Sequence, residues 1–142
     1  MEVFGLPLHP LVVHAVVVLV PLASLGALAV IASGRVRDRY GWLTVAFAVA
    51  AAGSSIVAKL AGEALADSLG VQSLVATHRM WGELMPYPTV TLAVALPAAL
   101  LVRGRSTAAW WVAAAVTVVV ALASLVLVVL TGESGARAVW GS

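Results

Sequence analysis

The stretch "GLPLHPLVVHAVVVLVPLA", residues 5–23, opens an apolar run that continues to about Ser33. It carries His9 and His14, two of the three histidines in the chain. About 20 mostly apolar residues suffice to cross a bilayer as a helix. The run from Pro10 to Ser33 meets that length with no charged side chain. Imidazoles at the start of such a segment are costly to bury, and they mark functional positions.

The same pattern recurs through the chain. Its 142 residues are 63% hydrophobic and 10% charged, with mean hydropathy +1.10, whereas soluble domains are about a quarter charged. Apolar segments at 10–33, 40–62, 78–102 and 108–130 predict four spans forming a single membrane domain. The fold expected is all-α, a four-helix transmembrane bundle. The first span is expected to serve as an uncleaved insertion signal, because no basic n-region precedes it. The net charge of +2 is small and dispersed, without a basic cluster of the kind a nucleic-acid backbone needs, so no nucleic-acid partner is expected. With no cysteine, disulfides, thiolate metal sites and iron–sulfur clusters are excluded.

Arginine placement predicts the orientation. Arg35, Arg37, Arg39, Arg103 and Arg105 flank one side of the predicted spans, and Lys59, Arg79 and Arg137 flank the other. Lys/Arg-rich loops stay cytoplasmic, so both termini are expected on the outer side. Tyr40, Trp42, Trp110 and Trp111 fall at the inner boundary and Phe4, Trp81, Tyr87 and Trp140 at the outer, as interfacial aromatic belts would.

This topology brings all three histidines to the outer face. At ~1.5 Å per residue, His14 lies ~28 Å from Ser33, and His9 ~36 Å. His78 lies ~36 Å from Val102, less if Pro86, Pro88 or Pro97 kinks the third helix. His9 precedes a proline and reads as a helix cap, whereas His14 sits one turn inside. Two neutral imidazoles from different helices are a suitable pair of axial ligands for haem b. His14 and His78 are therefore the expected cofactor ligands, with His9 as alternate. Gly82, four residues after His78, and Gly62, at the outer end of the second span, offer room for a porphyrin.

Glu63 and Glu83 near the same face allow a different reading, a His/Glu site for zinc, copper or non-haem iron. A simpler reading makes His9 an interfacial cap, gives His14 and His78 a structural hydrogen bond, pairs Lys59 with Glu63 across one helical turn, and lets Ser54 and Ser55 bond back to their own helix. No Gly-x-Ser-x-Gly elbow supports a nucleophilic enzyme. The spans carry no charged midplane of the kind a transporter needs.

The segment "LPLHPLVVHAVVVLVPLA", with His9, Pro10, Val13 and His14, together with His78 and the tail "TGESGARAVWG", resembles the small bacterial predicted membrane proteins grouped as domain of unknown function 2231. The chain departs from that pattern in having Ala15 and Val16 where a bulky residue and a proline are usual, and in carrying Pro86 and Pro88 in the third span. The resemblance implies four spans and a histidine at the start of the third. Relatives fused to Rieske-type iron–sulfur domains imply a respiratory or redox setting.

The expectation is an integral protein of the bacterial cytoplasmic membrane that binds haem b and transfers single electrons, a non-enzymatic subunit in contact with the lipid bilayer. Its redox partner would be a quinone or a periplasmic carrier, and it would work as a homodimer or within a larger membrane complex. The alternatives are a His/Glu metal-binding protein and a cofactor-free structural or assembly subunit.

Overall fold

The computed structural model describes residues 2–3, 6–71, 73 and 75–140, with the side chains of 11–71, 73, 75–138 and 140. A short antiparallel hairpin, β1 (Glu2–Val3) and β2 (Leu6–Pro7), leads into α1 (Leu8–Ala32). Then come α2 (Gly34–Leu69), α3 (Ala76–Leu84), α4 (Pro86–Val102) and α5 (Thr107–Trp140). In hydrocarbon no water can satisfy the backbone, so long apolar segments close their hydrogen bonds internally as helices. Four segments are long and apolar enough to span: Leu11–Ala32, Gly34–Leu69, Ala76–Val102 and Thr107–Ala138. Beyond the two short strands, the described fold is thus the expected helical four-span bundle.

The helices outrun their apolar cores. The Arg-rich stretch expected as a loop forms the first turns of α2. Ser33 alone separates α1 from α2, and its side chain N-caps α2 by accepting from the Val36 N–H at 3.4 Å. Arg37 folds back and donates from Nε and Nη2 to the carbonyls of Val30 and Ile31, at 2.9 and 3.0 Å. Those are last-turn carbonyls of α1 that lack helical partners. At ~1.5 Å per residue α2 is ~54 Å long, against ~30 Å of hydrocarbon, so both its ends project beyond the apolar layer. It stops at Gly70, which takes the left-handed conformation (φ 66°) that closes a helix at low cost.

The third span is two helices in tandem. Pro86 and Pro88 lack the N–H groups that would continue α3. Met85 instead donates to the nearer Gly82 carbonyl at 3.3 Å, and α4 restarts with Pro86 in its first turn. α5 runs unbroken past the expected end at 130 and takes in the C-terminal tail as far as Trp140.

The spans pack in a ring: α1 on α2, α2 on α4, α4 on α5, and α5 back on α1. Each turns a seam of small residues inward. Val16, Val20, Ala23, Ala27 and Val30 line it on α1; Thr44, Ala48, Ala51 and Ser55 on α2; Thr89, Leu92, Leu96 and Ala99 on α4; and Ala114, Thr117, Ala121 and Ser124 on α5. The alternating spacing of three and four is the repeat of left-handed helix packing. Small side chains let apolar helices approach closely where no hydrophobic force drives them together. Leucines and valines on the other faces, such as Leu25, Val94, Val112 and Val119, are exposed, as lipid contact requires.

Candidate functional site

A cavity of about 240 Å³ lies at the end of the bundle where α1 begins and α5 ends, among α1, α2, α3 and α5. Its wall is mostly apolar: Val13, Val16 and Val17 from α1, Ala58, Leu65, Ala66 and Leu69 from α2, Met85 after α3, and Val128 from α5. Gly62, Gly82 and Gly132 interrupt this wall on three helices. Ser55, Lys59, Glu63, His78, Arg79, Glu83 and Thr131 supply the polar groups.

His78 is positioned by α5. Its Nδ1 lies 2.9 Å from the backbone carbonyl oxygen of Thr131. A carbonyl only accepts, so Nδ1 carries the proton and donates. In the neutral ring the lone pair then belongs to Nε2. The approach is close because Gly135 lies one turn beyond Thr131: a Cβ there would sit 3.1 Å from His78 Nδ1 and 3.2 Å from Cε1. Thr131 contributes a second feature. Its Oγ1 is buried and has no hydrogen-bond partner among the described residues. An unsatisfied buried hydroxyl is costly, and this one belongs to a residue of the cavity wall.

The other expected site residues divide. Gly62, Gly82, Glu63 and Glu83 line the cavity with His78. His14 is exposed and is not among the lining residues, although Val13 and Val17 of the same helix are. His9 falls in the first turn of α1, and its side chain lies outside the described residues. The cavity thus brings together one histidine and two glutamates of the expected set, without the His14–His78 pair. Among the described residues no three His, Asp or Glu side chains group as a metal site.

The ion pairing also differs from expectation. Among the described residues no pair joins Lys59 to Glu63. Glu83 is instead paired with Arg79, Oε1 to Nε at 2.7 Å, so Arg79 has a protein partner besides any headgroup it meets. Ser54 and Ser55 do bond back to the carbonyls of Ala51 and Ala52, and Ser55 also bonds Thr89 of α4 at 2.8 Å. Sequence reasoning gave Thr131, Gly132 and Gly135 no site role and read Lys59 only as the partner of Glu63. The "TGESG" stretch enters the sequence reading only as part of the tail that carries the resemblance, and nothing local ties its glycines to a histidine more than fifty positions away.

The family described as "Predicted membrane protein (DUF2231)" matches residues 5–142, and the chain belongs to it. No curated protein and no solved structure matches.

Proposed function

We propose that this member of the predicted membrane protein family holds a lipophilic redox cofactor in the His78 cavity, and that the cofactor is haem b serving one-electron transfer. The bond from His78 to the Thr131 carbonyl carries the reading. Metal-ligating histidines commonly donate their second ring nitrogen in this way, which fixes the tautomer and raises the basicity of the ligating nitrogen. Gly62, Gly82 and Gly132 leave room beside the imidazole for the edge of a flat ring, and the wall around it is mostly apolar. Lys59 and Arg79 supply cations for propionates, and Thr131 Oγ1 is a buried group in want of a partner. Bound haem supplies the one-electron couple; the chain ligates it, orients it and sets its dielectric surroundings.

His14 follows the cavity-lining Val13 by about 100° around α1. Recruiting it as the second axial ligand, or His9 as its alternate, requires α1 to turn, whereas a five-coordinate haem on His78 requires no turn. Porphyrin asks one or two ligands of the protein. It therefore suits these residues better than zinc, copper or non-haem iron held by Glu63 and Glu83. The arginines at the far end support a cytoplasmic assignment for that end. The termini and His78 then face the periplasm of a bacterial cytoplasmic membrane, where a quinone or soluble carrier exchanges electrons with a dimer or larger complex.

The test is an absorption spectrum of the detergent-purified chain from haem-supplied cells, before and after dithionite, with metal analysis. The expected result is a Soret band that sharpens on reduction. Split α and β bands would mark two histidine ligands, and a high-spin spectrum would mark His78 alone. A featureless visible spectrum overturns the haem reading.

A second reading has its own support. The cavity's 240 Å³ falls just under the ~300–1,000 Å³ of drug-sized sites, a volume closer to a quinone headgroup than to a whole porphyrin. His78 Nε2 would then accept the proton of a quinol hydroxyl. Quinone in the organic extract of a colourless preparation selects this reading.

A further inference from the structure

At the opposite end of the bundle a second cavity of about 240 Å³ lies where α4 turns into α5, and none of the histidines takes part in it. Arg37, Arg103, Arg105, Ser106, Thr107 and Trp110 line it. We propose that this pocket binds the phosphate group of an anionic membrane lipid.

Arg37 is half-buried and held in place twice over. It bonds the end of α1 through Nε and Nη2, and its guanidinium stacks over Trp110, 4.4 Å from the ring centroid. Only two of its N–H groups are engaged in those bonds, so most of the five-donor fork stays available to an oxyanion. Arg103 bonds Asp38 through Nη1 alone. The Arg105 side chain has no partner among the described residues and is exposed at the same pocket.

Three cations meet one nearby carboxylate, Asp38, so an anion is welcome there. Two hydroxyls are at hand. Ser106 caps α5 by accepting from the Ala109 N–H at 3.2 Å, and Thr107 begins the helix, so the positive end of α5 lies at the pocket as well. Trp111, Trp42 and Tyr40, all exposed, lie at this end of the bundle. Aromatics of this kind sit at headgroup depth. A basic pocket between spans at that depth is a headgroup site by its chemistry. The lipid surface also holds phosphate there at a far higher local concentration than solution does.

The test uses the full chain in a zwitterionic detergent. It is titrated separately with short-chain phosphatidylglycerol, short-chain phosphatidylcholine and inorganic phosphate, and bound ligand is counted by native mass spectrometry. Phosphatidylglycerol should bind at one equivalent, with phosphatidylcholine much weaker. Arg105→Ala should weaken phosphatidylglycerol binding about tenfold, the loss of one charge-assisted contact. Arg35→Ala removes the same charge from the same end but outside the pocket, and should change binding less than about twofold. Equal losses for the two variants, or equal binding of the two lipids, would overturn the site. Binding of inorganic phosphate alone, with the same Arg105 dependence, would keep the phosphate site and overturn its assignment to lipid. Both arginines are exposed, so the variants should keep the helical circular dichroism of the parent.

Discussion

His78 is bonded by one residue of α5 and crowded by another. Thr131 takes its Nδ1 proton, and Gly135 yields the room for the ring. Gly135→Val would place methyl groups where the imidazole now lies. We expect it to break the Thr131 bond and lower cofactor retention about tenfold, the usual scale for loss of a group that orients a ligand, while thermal unfolding in detergent changes little. A parallel fall in unfolding temperature and cofactor content would make Gly135 a packing residue only. His78 itself was legible in the sequence, because a histidine opening an apolar span stands out against its neighbours. The group that orients it was not. Thr131 acts through its backbone carbonyl, which every residue possesses, so no side chain advertises the role. His14 was equally conspicuous. Yet its place relative to the cavity depends on the rotation of α1, and a helix with valine and leucine on nearly every face gives no moment from which to read that rotation.

The number of spanning helices follows from apolar length alone, and their ends do not. α2 begins at Gly34 because Ser33 caps it and because Arg37 can reach back to α1. Charged residues keep helical propensity, so an Arg-rich stretch between two spans is no proof of a loop. The break before Pro86 was readable as a kink; its resolution into two helices was not. Close contacts between helices are testable one at a time. A Cβ on Gly26 would lie 2.9 Å from Thr44 Cγ2. Gly26→Ala gains about 1 kcal/mol of helix propensity and costs about 1–3 kcal/mol in overlap, so it should destabilise the parent. In a Thr44→Ser background the offending methyl is gone, and the same change should stabilise. Thermal unfolding of the four proteins in detergent reads the reversal, and a uniform sign would show that the α1–α2 contact is looser than described. The Ser55–Thr89 bond joins α2 to α4, but each hydroxyl also bonds a carbonyl of its own chain segment. A double-mutant cycle to alanine should therefore give a coupling of only about 0.6 kcal/mol, the average for such bonds in membranes. A coupling above about 2 kcal/mol would mean that the pair holds the bundle together.

At the scale of the molecule, the bundle separates its chemistry by end. One end carries five of the seven arginines, Asp38 and the arginine-lined pocket, and the other carries His78, its cavity and most of the acidic residues. The absence of cysteine makes the orientation easy to read. Ser73→Cys, near the cavity end, should react with a membrane-impermeant maleimide in intact cells, and Thr107→Cys should react only after lysis. The reverse pattern would place His78 on the cytoplasmic side. The four spans were foreseeable from the hydropathy pattern, and the order in which they pack was not. The cavity was not, since its walls come from four helices and owe as much to missing side chains at Gly62, Gly82 and Gly132 as to those present. The measurement that bears most directly on the central claim is the haem-to-protein ratio of His78→Ala beside that of the parent and of His14→Ala, all purified from haem-supplied cells. The account predicts that His78→Ala loses the Soret band, with its unfolding temperature close to the parent's, and that His14→Ala keeps haem if the iron is five-coordinate or loses the low-spin bands if α1 turns. A His78→Ala protein that retains the parent's full complement of haem would contradict it.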